Sequence, residues 1–189
     1  MSRFHALTVA DVRRETADSV SIRLAVPEAL KAAFAFRPGQ YLTLRTIIGG
    51  EEIRRSYSIC SGLDDGELRV GVRKVAGGAF STFANENLRP GDLLEAMPPE
   101  GRFTLSEAGA GRHVFCIAAG SGITPVLSIV RSVLAREPAS RVTLIYANRT
   151  SGSAMFAEEI EDLKNRHLGS FVVVHLLSRE AQDVPLLAG

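Results

Sequence analysis

The hydrophobic pattern of this chain changes its period once, across a run of small and glycine residues, Ser106-Glu107-Ala108-Gly109-Ala110-Gly111-Arg112. Before that run, short apolar stretches are broken by Pro38-Gly39, Gly49-Gly50, the segment 62–66 and Pro90-Gly91-Asp92. Proline presets φ and glycine reaches positive φ, so each break reads as a turn. The spacing predicts strands at 4–12, 19–26, 40–46, 53–60, 67–74 and 92–97, with a single helix at 81–88. Short strands at this interval suggest a barrel or a sandwich, and the fold class expected is an all-β antiparallel barrel.

After the run, strands at 113–119, 141–147 and 171–178 alternate with helices at 124–136 and 154–167, as in an α/β domain with a parallel sheet. Val126, Leu127, Val130, Val133 and Leu134 give the first helix a broad apolar face, while Phe156, Ile160 and Leu163 give the second a narrower one. Two domains follow, 1–108 and 109–189. The second is short, because open nucleotide-binding sheets usually carry about five or six strands. The expectation is a truncated domain, either a piece of a longer protein or one completed by a partner.

Bulk properties narrow the function classes. A formal net charge of +1, with neither sign in a long block, gives no support to a nucleic-acid partner. Cys60 and Cys116 lie far apart, and Cys116 sits in an apolar run, so buried free thiols are expected rather than a disulfide. With His5, His113, His167 and His175 scattered, no cluster has metal-ligand spacing, and no metal is expected in this chain. Met1-Ser2-Arg3-Phe4-His5 lacks the apolar core of a signal peptide and no run approaches a membrane span, which makes cytoplasmic the default location.

Three separated motifs carry chemistry. Arg55-Ser56-Tyr57-Ser58 ends a strand-like run. A guanidinium offers a planar fork of donors to a pyrophosphate, a phenol ring offers a flat face to a flat heterocycle, and a serine hydroxyl donates or accepts, so the tetrapeptide reads as a flavin clamp. Gly77-Gly78-Ala79-Phe80-Ser81 opens the first helix, whose free N–H groups and positive dipole end face the loop. Gly120-Ser121-Gly122-Ile123-Thr124-Pro125 joins an apolar strand to an amphipathic helix, where a nucleotide-binding turn belongs. Proline replaces the third glycine of the dinucleotide fingerprint, which costs no hydrogen bond at a helix's first position. Taken singly, each motif is ordinary: an exposed strand edge, a turn, a strand-to-helix loop. Their order and spacing carry the reading.

Other residues have simpler roles. His113 and His175 read as core or edge residues, Cys60 as packing, and Tyr41 and Phe103 as barrel filling, with contact to flavin as the alternative for either. Glu158-Glu159-Ile160-Glu161-Asp162 reads as a solvated acidic helix face, with contact to a redox partner as the alternative.

Together with Pro99-Glu100-Gly101-Arg102-Phe103 and Tyr146-Ala147-Asn148-Arg149, these motifs resemble the ferredoxin-NADP reductase superfamily over nearly the whole chain. Phe36-Arg37-Pro38-Gly39-Gln40-Tyr41 and Ile53-Arg54-Arg55-Ser56-Tyr57-Ser58-Ile59-Cys60 are most similar to the reductase subunits of bacterial phenylacetyl-CoA epoxidases (ring-1,2-epoxidases). The resemblance implies an FAD flavoprotein. Arg55 would hold the FAD pyrophosphate, Tyr57 would pack on the isoalloxazine ring and Ser58 would approach flavin N5, with Ser56 between them. Val72, Lys74 and Val75 would line the site through their main chain, and Gly77 and Gly78 would admit the phosphates, with Phe80 and Ser81 at the helix start. Gly120, Gly122 and Thr124 would meet the reductant, Thr124 near the point where nicotinamide reaches flavin, so Tyr57, Ser58 and Thr124 are the implied catalytic positions.

Asn148-Arg149 stands where NAD enzymes often place an acidic residue, and Ser178-Arg179 resembles a 2′-phosphate pair. NADPH is therefore the expected reductant, with NADH as the alternative. The implied reaction is hydride transfer from NADPH to FAD, then single-electron transfer through a 2Fe-2S domain to the oxygenase or epoxidase component of a multicomponent system. None of the cysteines of such an iron–sulfur domain lies in this sequence. A ring-hydroxylating dioxygenase reductase and a flavohaemoglobin-like module share the same motifs. A non-catalytic flavin-binding electron-transfer or regulatory subunit is the reading of a different class.

Overall fold

A computed structural model describes residues 3–106 and 111–181. The domain boundary expected between 108 and 109, and the tail 184–189, lie outside the described residues.

The first lobe is an antiparallel six-stranded sheet, built from β1 (His5–Thr16), β2 (Ser19–Ala25), β3 (Tyr41–Ile48), β4 (Glu51–Ser58), β5 (Leu68–Arg73) and β6 (Leu93–Ala96) in the order β4-β3-β6-β1-β2-β5. Just beyond β4, Ile59 bridges Val70, and the Cys60 N–H donates to the Arg69 carbonyl at 2.8 Å. These contacts join the two outer strands and close the sheet into a barrel, so neither edge is left unpaired along its whole length. Side chains alternate in and out with period two, which places Leu7, Val9, Ile22, Leu42, Leu44, Val70 and Val72 in one core. Helix α1 (Ala79–Glu86) packs on that core through Phe80 and Ala84. Phe103 does not fill the barrel: the residue is 62% exposed, and Tyr41 is only half-buried beside its bridge partner Glu100.

The second lobe holds β7 (His113–Ala119), α2 (Ile123–Arg136), β8 (Arg141–Asn148), α3 (Ala157–Arg166) and β9 (Phe171–Leu177), with the three strands parallel in the order β7-β8-β9. One face of β7, carrying Val114, Cys116 and Ala118, is covered together with α2 and the apolar side of α3. The other face carries Phe115 and Ile117, and Ile117 is 77% exposed. The strand expected at 113–119 is thus buried on one side only, because the described helices cover a single face of the sheet.

Three helix starts differ from the sequence reading, α1 by beginning at Ala79 rather than 81, directly after the Gly77-Gly78 turn. Helix α3 begins at Ala157 rather than 154, because Phe156 adopts a left-handed conformation (φ 59°, ψ 24°) that interrupts the run. Such a conformation costs on the order of 1–3 kcal/mol for a non-glycine residue, and the complete burial of the Phe156 ring offsets it. Helix α2 begins at Ile123, so Pro125 is its third residue rather than its first. It still lies in the first turn, where the N–H has no intrahelical partner to lose.

Candidate functional site

Alternation along β4 puts Arg55 and Tyr57 on one face and Ser56 on the other, where its hydroxyl meets that of Thr43 at 3.1 Å. The Tyr57 ring lies 5.3 Å from that of Phe80 at a tilt of 38°, so the strand presents its phenol beside the start of α1. Burial pushes the Tyr57 phenol up to about 12, against the pull of the Arg55 charge, and the group stays a neutral ring and donor. Arg55 is exposed, and among the described residues its guanidinium makes one hydrogen bond, from Nη1 to the Arg54 carbonyl at 2.6 Å. Its other guanidinium nitrogens make no hydrogen bond among the described residues. Ser58 closes β4 opposite Tyr41 and is half-buried.

The loop into α1 supplies the rest of this half-site. Gly77 has φ +71°, which only glycine adopts without strain. Ser81 folds the loop back on itself: its hydroxyl accepts from the Val75 N–H and donates to the Gly78 carbonyl, both at 3.1 Å. No side chain caps α1, so its first N–H groups remain aimed past Gly78. Val72 and Phe80 are sealed in the barrel core, and only their main chain can meet a ligand. Lys74 is ion-paired with Glu86, while Val75 is largely exposed.

A cavity of about 730 Å³ opens at the C-terminal ends of β7, β8 and β9. Open parallel sheets bind their ligands at that end. Gly120, Ser121, Asn148, Arg149 and Ser178 wall it from the α/β lobe, and Asp18, Arg73, Lys74 and Val75 wall it from the barrel. Asn148 is only 8% exposed, and beyond the approach of its amide to the Tyr146 hydroxyl neither of its amide atoms closes a hydrogen bond among the described residues. A buried polar group left unpaired costs about 1–3 kcal/mol, so this amide fits a site that a polar ligand completes. Three cations, Arg73, Lys74 and Arg149, face one carboxylate, Asp18, in the same cavity. Its donor set suits a phosphate-bearing ligand.

Thr124 and Gly122 lie outside the residues that line this cavity. The Thr124 hydroxyl donates to the Ser121 carbonyl at 3.0 Å, and its methyl group packs on Gly71 of β5. Arg179 is likewise not among the lining residues, although its N–H donates to the Arg149 carbonyl at 2.8 Å. Sequence reasoning missed two contributors. Arg73 donates Nε to Asp18 at 3.0 Å and stands beside Gly120, and the Tyr146 hydroxyl donates to the Gly120 carbonyl at 3.1 Å. The available signal was the sequence Arg69-Val70-Gly71-Val72-Arg73, in which a strand alternates core residues with residues that a one-lobe reading leaves without a purpose.

The acidic face expected on α3 is also not uniformly solvated. The Glu158 side chain is 89% exposed, but that of Glu159 is 12% exposed and lies among arginines. Both thiols are free and buried; burial pushes Cys60 up to about 12 and Cys116 up to about 11, which removes thiolate chemistry near neutrality. His113 is an edge residue whose Nε2 lies 2.9 Å from the Thr143 hydroxyl. Among the described residues no helix is long and apolar enough to cross a membrane.

Comparison with known proteins finds two family models in tandem: an oxidoreductase FAD-binding domain over residues 6–105 and an oxidoreductase NAD-binding domain over residues 116–186. The chain is 47% identical over its full length to a 1,2-phenylacetyl-CoA epoxidase subunit from Escherichia coli, covering 53% of that protein. It is 41% identical, over 97% of its length, to the ferredoxin reductase component of 3-ketosteroid-9-alpha-monooxygenase from Rhodococcus rhodochrous, covering 52% of that chain. Among solved structures, the flavohaem-like FAD/NAD-binding domain of nitric oxide dioxygenase from Vibrio cholerae superposes with a TM-score of 0.82 at 24% identity, over 94% of this chain and 76% of that one. The chain spans about half the length of the two curated relatives named here.

Proposed function

This chain belongs to the ferredoxin-NADP reductase-like superfamily of FAD- and NAD-binding oxidoreductases, and from that premise we propose that it is the flavin and nicotinamide part of an NADPH-dependent electron-transfer reductase serving a multicomponent oxygenase. The observation that carries the reading is the adjacency of the two half-sites. Lys74 and Val75 wall the cavity and lead, within one short loop, into the Gly77 turn and the start of α1 beside Tyr57.

FAD, when bound, supplies a ring that takes two electrons from a nicotinamide and releases them one at a time. The chain's own residues bind and orient. Arg55 and the uncapped start of α1 would hold the pyrophosphate, and Tyr57, kept neutral and backed by Phe80, would stack on the ring with Ser58 at its edge. Asn148 and the Gly120–Gly122 turn would hold the nicotinamide nucleotide, with Arg73 and Arg149 on its phosphates. Thr124, at the junction between lobes, would set the approach of nicotinamide to flavin. Cations at Arg73, Lys74 and Arg149, with Asn148 in place of an acidic residue, favour NADPH over NADH.

The epoxidation of phenylacetyl-CoA is the system we favour, through the relative of highest identity named above. The electron acceptor is then the oxygenase or epoxidase component, reached through a 2Fe-2S domain in the remainder of a longer protein. Anaerobic mixing of the FAD-loaded full-length protein with NADPH or NADH tests this. Rapid bleaching of the visible flavin band, faster with NADPH at equal concentration, is expected, and a flavin that neither nucleotide bleaches removes the reading in favour of a non-catalytic flavin-binding subunit.

A further inference from the structure

Glu159, the third residue of α3, gathers cations from three other elements. Arg69 of β5 donates to it through both terminal nitrogens, at 2.7 and 2.8 Å. Arg13 of β1 reaches it at 3.2 Å, and Arg131 of α2 makes a further ion pair. Arg131 extends its other terminal nitrogen to Asp65, in the barrel loop between β4 and β5, at 2.8 Å. One carboxylate on the α/β lobe is therefore clasped by two strands of the barrel and by the neighbouring helix.

The strand that supplies Arg69 also supplies the rest of the junction. Arg69, Gly71 and Arg73 share the outward face of β5, and each meets the α/β lobe: Glu159 for the first, Thr124, Met155 and Phe156 for the second, and Gly120 for the third. At about 3.3 Å per residue the three contacts span roughly 13 Å of one rigid strand. Phe156, three residues before Glu159, is buried in its left-handed conformation and fixes the direction in which α3 leaves the junction.

We propose that Glu159 is a positioning residue, which holds the α/β lobe in register along β5 so that the Gly120 turn and Asn148 stand at a fixed distance from the flavin clamp. The inference rests on the reductase reading above. Paired Arg–carboxylate contacts are directional, and removing the carboxylate leaves the buried Arg69 with only Glu67, at 3.0 Å, and the half-buried Arg131 with only Asp65, both on the barrel side, so the lobes lose a defined seat rather than a merely attractive contact. Hydride transfer tolerates little misplacement, since an error of about 1 Å can cost on the order of a hundredfold in rate.

The full-length protein tests it through Glu159→Gln and Glu159→Asp, with Glu158→Gln as the control on the exposed neighbour, whose side chain meets Arg13 at 3.3 Å in solvent, where such a pair contributes little. The expected result is that E159Q binds FAD within twofold of wild type and yet reduces its bound flavin at least tenfold more slowly at saturating NADPH. E159D should recover part of that loss, and E158Q should match wild type. Independently of turnover, amide hydrogen exchange across 68–73 should accelerate in cofactor-free E159Q. A wild-type reduction rate per bound flavin in E159Q, a loss shared equally by E158Q, or unchanged exchange across 68–73 overturns the inference. If E159Q does not fold, E159D and Arg13→Gln, which removes the longest of the Glu159 contacts together with the exposed pair to Glu158, carry the same comparison. A wild-type flavin that no nicotinamide reduces would bring down the reductase reading and this role with it, whereas a reducible wild type with an unaffected E159Q overturns the role alone.

Discussion

The methyl group of Thr124 occupies the space that a side chain on Gly71 would need: a Cβ there would come within 2.5 Å of Thr124 Cγ2 and 3.1 Å of the Phe156 ring. The two lobes meet through what β5 lacks at this position. Because both neighbours are buried, relief by rotating one side chain away is closed.

Gly71→Ala is therefore expected to destabilise the fold by about 1–3 kcal/mol, the usual range for overpacking a close junction. Urea unfolding midpoints of the variant and wild type measure it. A change within about 0.5 kcal/mol would mean that the junction yields without strain.

Arg55→Ala should separate cofactor binding from folding. The side chain is exposed and bonds only its neighbour's carbonyl among the described residues, so unfolding midpoints should move by less than about 0.5 kcal/mol. FAD affinity should fall by about 1.5–3 kcal/mol, or roughly ten- to a hundredfold, as read by flavin fluorescence titration. Equal losses in binding and in stability would remove Arg55 from the pyrophosphate site.

Arg149→Ala addresses the choice of reductant. Arg149 is exposed on the cavity wall at the end of β8. Removing a charge-assisted contact to a 2′-phosphate should raise KM for NADPH about tenfold or more while leaving that for NADH unchanged. A parallel rise for both nucleotides would place the guanidinium on the shared pyrophosphate instead.

Acid should loosen the junction. Burial raises the Glu159 carboxyl, but the Arg69 donors and the charges of Arg69, Arg131 and Arg13 outweigh it and hold the group below its ordinary 4.5. Arg112 does the same for Glu137, whose hydrogen bond to that guanidinium is the largest influence. Carboxylates lowered in the folded state contribute stability above the ordinary carboxylate range and lose it as the pH falls through the lowered values. Glu15 opposes them, because burial raises it and its contribution fades as the pH rises. Urea midpoints between about pH 7 and pH 3 should therefore drop on the acid side, and the drop should be shallower in Glu159→Gln.

Much of this architecture is legible in residue order. The period-two runs and their turns place all six barrel strands within a few residues, and the βαβ rhythm places the three parallel ones. Arg55 and Tyr57 emerge on one face of β4 because alternation demands it. Residue order misplaces Glu159 in solvent for a physical reason. Helical spacing tells which residues share a face of α3, but Arg69 and Arg131, which bury it, lie 90 and 28 positions away in sequence. The left-handed Phe156 is equally hidden, since a buried aromatic with no glycine beside it gives no local sign of a break.

Local chemistry alone determined the elements, the two lobes and the three motifs, because propensity, periodicity and turn geometry act over a few neighbouring residues. Only the tertiary structure decided that Gly71 must stay bare, that Arg73 and Tyr146 attend Gly120, and that the Asn148 amide is buried at the cavity wall with its hydrogen bonding incomplete among the described residues. Those facts depend on desolvation and close packing between surfaces that meet only after both lobes have formed.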